Sequence, residues 1–180
     1  MNISDSGNPR LDKDGNDWVL VLTRTLKHSI NEVWTALTAA EQLPAWGPFK
    51  TDRDLTTVGT VRLEHIDMPE ENIMQGAVLE VNAPQLLVFR WGDDILRWEL
   101  SDDGEHTVLV LYHRFADHKQ APSYAAGWHL CLDGLIGLLG GKKMPSMAGH
   151  NAYNYGYNEL YAQYAKQLGI ELDSQGGNNS

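Results

Sequence analysis

The stretch APSYAAGWHLCLDGLIGLLGG, residues 121–141, is apolar over the length of a long helix and carries one formal charge, at Asp133. Its glycines at positions 127, 134 and 141 recur close to every second helical turn, so they are expected on one helix face. An interior glycine costs about 0.5–1 kcal/mol relative to alanine. The glycines therefore serve to leave room on this face, either for close backbone packing or for a ligand. The same helix carries an apolar stripe of Trp128, Leu132, Leu135 and Leu139.

A membrane span is another structure that such a length allows. Asp133 near the centre of the stretch, His129 and the glycines disfavour insertion, so we expect no span. Asp133 lies out of phase with the apolar stripe. Because an unpaired buried carboxylate is costly, we expect Asp133 on the outer, solvated face of the helix.

The composition is that of a single acidic domain of 180 residues with a formal net charge of -10. Basic residues do not cluster beyond Lys142–Lys143, which argues against nucleic acid as a partner. The one cysteine, Cys131, has no disulfide partner and suits a reducing cytoplasm, where we expect it to be a small buried hydrophobe. We expect a disordered lead-in over residues 1–16 with no signal-peptide pattern, one domain over 17–168 and a disordered tail over 169–180.

The first strand is predicted at Trp18–Leu26, which is rich in β-branched residues. Ser29 and Glu32 then form the capping-box pattern of a short helix. A second short helical turn is expected over residues 39–43, after which Pro44 opens a loop.

Alternating apolar and polar runs fill residues 55–117, and the turns between them are too short for parallel crossovers. The runs are VRLEHI, IMQGAVLEV, LLVFRW, ILRWEL and TVLVLYHRF. A last helix is predicted over about residues 152–168. The fold class is thus α+β, with an antiparallel sheet whose apolar face is covered by the glycine-rich helix. We expect that face to carry Val61, Leu63, His65, Leu87, Phe89, Trp91, Leu96, Trp98, Leu100, Leu109, Leu111 and His113.

Histidines fall on this apolar face at His65 and His113, and a third, His129, lies in the covering helix. Buried imidazoles need hydrogen-bond partners, and two interpretations are open. They are ligand anchors or an acid/base pair in a dry cavity, or they are core histidines satisfied by a backbone carbonyl or a tyrosine.

Motifs for bound groups are absent from the sequence. There is no C-x-x-C, H-x-x-x-H or H-E-x-x-H, and Cys131 and His129 are spaced so that they face different sides of a helix. No P-loop, G-x-G-x-x-G or G-x-S-x-G occurs either. We therefore expect neither a metal nor another cofactor.

Several short motifs together resemble the family of activator of heat-shock-protein-90 ATPase homologues, in the START-like helix-grip (SRPBCC) superfamily. They are L-T-R-T-L (22–26), E-V-W-T-A-L-T (32–38), the E-x-L-x-x-W of 41–46, G-x-V-L-E-V (76–81), F-R-W (89–91) and G-W-H-L-C-L-D-G-L (127–135). The resemblance covers about residues 17–168. The polar lead-in and residues 142–157 depart from the family pattern.

The resemblance implies a helix-grip fold, in which a curved antiparallel sheet wraps around a long C-terminal helix and two short helices follow the first strand. In relatives the sheet and the helix enclose an apolar cavity for lipids, polyketides or other hydrophobic molecules. By position, the cavity would be lined by Trp46, His65, Phe89, Trp91, Trp98, Leu111, His113, Trp128, Leu132 and Leu135.

The function that these expectations favour is binding of a hydrophobic small molecule of lipid, polyketide or aromatic type, as a carrier or sensor without catalysis. One alternative is a cyclase- or dehydratase-like enzyme that uses His65 or His113 as general acid/base. Another is a co-chaperone-like domain for a partner protein, which would need an exposed apolar or charged patch.

Overall fold

The structure, a computed structural model, describes residues 9–66, 73–142 and 145–172. Its strands are β1 (Arg10–Asp14), β2 (Asp17–Leu26), β3 (Phe49–Thr51), β4 (Gly59–His65), β5 (Ile73–Asn82), β6 (Leu86–Trp91), β7 (Asp94–Asp102) and β8 (Thr107–Phe115). Its α-helices are α1 (Ile30–Thr38), α2 (Leu43–Trp46), α3 (Ala121–Leu139) and α4 (Tyr157–Leu168). Short 3₁₀ helices lie at His118–Gln120 and Gly149–Tyr155.

The strands form one antiparallel sheet of eight strands in the order β1-β2-β8-β7-β6-β5-β4-β3. Pairing of β2 with β8 joins the first long strand to the last strand of the meander. The sheet is curled, and α3 packs against its inner face to form the main core. This is the α+β helix-grip architecture that the sequence predicts.

The inner face of the sheet carries the apolar residues predicted for it. Strand residues on this face with no exposed surface or almost none include Leu63, Leu87, Phe89, Leu96, Leu109 and Leu111. From α3, Trp128, Leu132 and Leu135 pack against them. Alternation with a period of two residues was therefore enough to assign the inward faces of β4, β6, β7 and β8.

The two short helices differ in how well the sequence predicts them. Ser29 caps α1 as predicted, because its Oγ accepts a hydrogen bond from the Glu32 backbone N–H at 3.2 Å, and the Glu32 carboxylate accepts a bond from the Ser29 hydroxyl rather than from its backbone N–H. The second helix was placed too early, because α2 begins at Leu43 and contains Pro44. Proline is tolerated in the first helical turn because the backbone N–H groups of that turn have no acceptor within the helix, so the missing N–H of proline costs no hydrogen bond.

The lead-in predicted over residues 1–16 is too long, because residues 10–14 form β1. This strand pairs with β2 through a tight turn at Gly15, whose φ of 65° is in the left-handed region that favours glycine. Its charges are partly paired, since Arg114 of β8 binds both Asp14 and Asp17. Residues 1–8 and 173–180 of the predicted lead-in and tail lie outside the described residues.

The glycine-rich helix ends at Leu139, and Gly141 follows it with a φ of 84°. The last helix, predicted from residue 152, begins instead at Tyr157 after the 3₁₀ segment. Within the described ranges, no helix combines the length and the hydropathy needed to cross a membrane.

Candidate ligand cavity

A cavity of about 290 Å³ lies between α3 and the segment that connects α3 to α4. One wall comes from α3, with Ser123, Tyr124, Gly127, Trp128 and Cys131. The opposite wall comes from residues 147–153 and from Tyr157 at the start of α4. Trp91 at the end of β6 and Pro48 complete the lining.

Gly127 opens the backbone of α3 onto this cavity. A Cβ atom built at Gly127 would meet no atom of the described residues within 4 Å beyond its own helical turns and chain neighbours. The other two glycines differ: a Cβ at Gly134 would lie 3.5 Å from the Cβ of Trp46, and Gly141 is outside the helix. Of the three recurring glycines, one therefore leaves space, one allows close packing and one follows the helix end.

The space directly between the sheet and α3 is filled by side chains. Trp98 meets Trp46 edge-on at 5.9 Å between ring centroids and meets Trp128 edge-on at 5.5 Å. The void that remains beside these rings has a volume of about 10 Å³. That volume holds about one water molecule, so it has no room for an organic ligand.

The residues predicted to line a cavity are accordingly divided by the structure. Trp91 and Trp128 lie on the wall of the 290 Å³ cavity. Away from that wall, Trp46, Phe89 and Trp98 surround the small void. Leu111, Leu132 and Leu135 are in the core. His65 and His113 are hydrogen-bonded to the two wall tryptophans.

His113 is fully buried with 0% of its surface exposed, and both of its ring nitrogens are bonded within the protein. Its Nδ1 accepts the indole N–H of Trp128 at 2.9 Å, and its Nε2 lies 2.7 Å from Asp94 Oδ2. Because an indole N–H can only donate, Nδ1 must be unprotonated, so Nε2 carries the proton and donates it to Asp94. Burial lowers the pKa of His113, against the hydrogen bond and charge of Asp94, which raise it.

His65 has the same relation to the second wall tryptophan. Its Nε2 accepts the indole N–H of Trp91 at 3.1 Å, which leaves the proton on Nδ1. Among the described residues this buried Nδ1 has no hydrogen-bond partner. Both histidines therefore fix the orientation of a tryptophan, a partner that the sequence did not suggest.

His129 is satisfied on the side of α3 that faces α4. Its Nδ1 lies 2.8 Å from the hydroxyl of Tyr164, which is the kind of partner expected for a core histidine. Its Nε2 lies 3.4 Å from Asp133, whose side chain is 50% exposed. The outer, solvated position predicted for Asp133 is confirmed.

Four polar groups of the cavity, three hydroxyls and one thiol, stay protonated at neutral pH. Ser123 Oγ and the hydroxyl of Tyr157 lie 2.6 Å apart. Burial raises the pKa of Tyr157, and it raises the pKa of Cys131 to about 12. Burial, followed by the nearby charge of Asp94, raises the pKa of Tyr124 to about 12. These groups are therefore uncharged at neutral pH. Within the described parts of the chain, no group of three or more His, Cys, Asp or Glu residues is placed to hold a metal.

The lining residues other than Trp91 and Trp128 were not predicted. Ser123, Tyr124 and Cys131 lie three or four residues from Gly127, on the same helix face, so helical periodicity around this glycine was the available signal. The wall formed by residues 147–157 has no such periodicity.

A family model described as Activator of Hsp90 ATPase homolog 1-like protein matches residues 27–140. The chain belongs to this family. Among curated proteins, no sequence matches this chain significantly.

Solved structures agree with this assignment at the level of the fold. CalU16 from Micromonospora echinospora has a TM-score of 0.71 at 19% identity, over 91% of this chain and 98% of that chain. A conserved protein of unknown function from Enterococcus faecalis has a TM-score of 0.70 at 16% identity, over 91% and 92%. The AHSA1 protein from Silicibacter pomeroyi has a TM-score of 0.55 at 20% identity, over 68% and 97%.

The match to the Activator of Hsp90 ATPase homolog 1-like family ends at residue 140, directly after α3. The cavity wall of residues 147–157 lies beyond it. One wall of the cavity is thus built by the part of the chain that matches the family, and the other by residues outside the match.

Lowering the pH is expected to destabilise this protein through His113. Since its pKa is lowered from 6.5 in the folded state, the unfolded chain binds a proton between the two values that the folded protein does not. The stability contributed by neutral His113 is therefore complete above about pH 6.5. It is lost as the pH falls toward the folded pKa, by at most about 1.4 kcal/mol per pH unit.

Urea unfolding of wild type, His113→Gln and His118→Gln between pH 5 and 8 measures this contribution. His118 lies in a 3₁₀ helix outside the core and is the matched control. We expect His113→Gln to have a shallower loss of unfolding free energy below pH 6.5 than wild type and His118→Gln. Parallel curves for all three proteins would refute the assignment.

Proposed function

We propose that this protein binds a hydrophobic small molecule of aromatic or short acyl type between α3 and residues 147–157, as a carrier or sensor that does not transform it. The observation that carries the proposal is the cavity of about 290 Å³ with aromatic and apolar walls. An apolar cavity of about 150 Å³ holds one benzene, so this volume suits about two rings. A cytoplasmic location remains a prediction from the sequence.

The preformed walls support binding. Trp91 and Trp128 are each held by an indole hydrogen bond to a histidine, and their ring centroids lie 6.0 Å apart. Side chains that are already ordered lose little conformational freedom when a ligand enters. The free energy gained by burying the ligand surface is then not offset by the cost of ordering the cavity walls.

Catalysis by a cavity histidine has less support. A general base must come within hydrogen-bond reach of the proton that it abstracts. Both nitrogens of His113 are occupied and the side chain is fully buried. His65 bonds to Trp91 and is not part of the cavity lining. The geometry of His65 and His113 therefore favours binding over acid/base chemistry by either of these residues.

A thermal-shift screen of the full chain with naphthalenes, flavonoids and C6–C10 fatty acids tests the proposal. A ligand at one hundred times its Kd stabilises the folded state by about 2.7 kcal/mol. For a protein of this size that shift corresponds to a Tm increase of about 5–11 °C. The absence of any stabilising compound, together with unchanged tryptophan fluorescence across the panel, would overturn the proposal.

A further inference from the structure

Two hydroxyl groups that line the cavity, those of Ser123 and Tyr157, are hydrogen-bonded to each other. Ser123 is in the first turn of α3 and Tyr157 is the first residue of α4, and both line the cavity. Their oxygens lie 2.6 Å apart, so one of their two protons is shared between them. The second proton has no partner among the described residues. The pair therefore offers a ligand one donor and a free lone pair.

Charged side chains are absent from the described lining of the cavity, which contains no Asp, Glu, Lys or Arg. The nearby carboxylate of Asp94 is bonded to His113 Nε2. His150 at the exposed rim is the only imidazole in the described lining. A carboxylate or ammonium group would therefore lose its hydration in this cavity without gaining a counter-ion.

Flat rings dominate the walls. Trp91, Tyr124, Trp128, Tyr153 and Tyr157 all line the cavity. Aromatic rings favour other rings in edge-on or offset-stacked contact beyond the gain from burial alone. A planar ligand makes more of these contacts than a flexible acyl chain of the same volume and loses less conformational freedom.

We infer that the ligand belongs to the planar, uncharged aromatic alcohols of about two rings, with its hydroxyl group hydrogen-bonded to Ser123 and Tyr157. This inference rests on the proposed function and names the ligand class for the same cavity. The rings lie against the aromatic side chains of the wall, and the hydroxyl group makes its hydrogen bonds with the Ser123–Tyr157 pair.

Isothermal titration of the full chain at pH 8, where histidines of ordinary pKa are neutral, compares three naphthalenes of one skeleton. 2-Naphthol is expected to bind most tightly, and 2-methylnaphthalene about 3- to 10-fold more weakly because it cannot form the hydrogen bond. 2-Naphthoate is expected to bind at least about 10-fold more weakly than 2-naphthol because its charge is unpaired. Decanol is included as an uncharged acyl alcohol and is expected to bind more weakly than 2-naphthol.

The double variant Ser123→Ala/Tyr157→Phe tests whether these two hydroxyls bind the hydroxyl group of the ligand. It is expected to bind 2-naphthol as weakly as 2-methylnaphthalene, with the affinity for 2-methylnaphthalene unchanged. Tyr112→Phe, which removes a phenolic hydroxyl from the outer face of β8, is expected to keep the wild-type preference.

Outcomes of these titrations separate the inference from the proposed function. Equal affinity for the naphthalenes, tighter binding of 2-naphthoate or decanol, or a preference for 2-naphthol that persists in the double variant would overturn the inference while leaving hydrophobic binding in place. Failure of every naphthalene, of decanol and of the fatty acids to bind would overturn both.

Discussion

Gly127→Leu is expected to weaken ligand binding by about 10- to 100-fold while leaving the protein as stable as wild type or more stable. Its new side chain would enter the cavity of about 290 Å³, because a Cβ at this position meets no described atom within 4 Å beyond its own turns. Leucine is also a better helix former than glycine by about 0.5–1 kcal/mol. Affinity and stability are thus expected to change in opposite directions, which general damage to the fold does not produce.

Two alanine variants in α3 are the controls for this change. Gly127→Ala is expected to stabilise the helix by up to about 1 kcal/mol and to keep most of the affinity, because one methyl group occupies little of the cavity. Gly134→Ala would place its Cβ 3.5 Å from Trp46 Cβ and 3.7 Å from the end of the flexible Met147 side chain, both ordinary contacts, and is expected to change the Kd little.

Titration with 2-naphthol, or with the best ligand of the screen, and urea unfolding give both quantities for each variant. Wild-type affinity in Gly127→Leu would place the ligand elsewhere. Unfolding of that variant at much lower urea concentration would mean that the cavity cannot accept the side chain.

Local patterns in the sequence were enough for most of the fold. Alternation at Leu87 and Phe89, or at Leu109 and Leu111, fixes which side of a strand is buried, because neighbouring side chains point to opposite faces. The pair Ser29 and Glu32 fixes the start of α1 for an equally local reason. By contrast, β1 is charged along most of its length and is stabilised by pairing with β2. The sequence of β1 itself contains no pattern that predicts this pairing.

The position of the cavity could not be predicted in the same way. An apolar pattern identifies which side chains face inward, but the space left over depends on how Trp46, Trp98 and Trp128 pack against one another. The indole bonds of Trp91 and Trp128 to histidines join residues 26 and 15 positions apart, so they depend on strand register and helix placement. The sequence therefore indicated Trp91 and Trp128, but it indicated neither the tyrosines of the cavity wall nor which of the inward-facing residues border open space.

Gly76→Ala is expected to lower the free energy of unfolding by about 3 kcal/mol, and the Tm by about 6–12 °C. Gly76 lies in β5 opposite Val61 of β4 and Trp91 of β6. A Cβ at this position would lie 2.5 Å from the backbone carbonyl oxygen of Arg90 and 2.9 Å from Leu63 Cδ1. Since β5 and β7 hold β6 on both sides, that carbonyl cannot move away as the end of a flexible side chain can.

Gly76→Ala is also expected to displace a wall of the cavity. Arg90 directly precedes Trp91, whose indole bond to His65 sets the position of one cavity wall. We therefore expect a higher Kd for 2-naphthol, measured well below the Tm so that the variant is fully folded, together with a change in tryptophan emission. Gly134→Ala again serves as the control, since both changes add one methyl group to a buried glycine, and the new Cβ would make only ordinary contacts of 3.5 Å or more at Gly134 but would lie 2.5 Å from a carbonyl oxygen at Gly76. An unchanged Tm in Gly76→Ala would mean that β6 can shift at little cost, and Trp91 would then not be a fixed wall of the cavity.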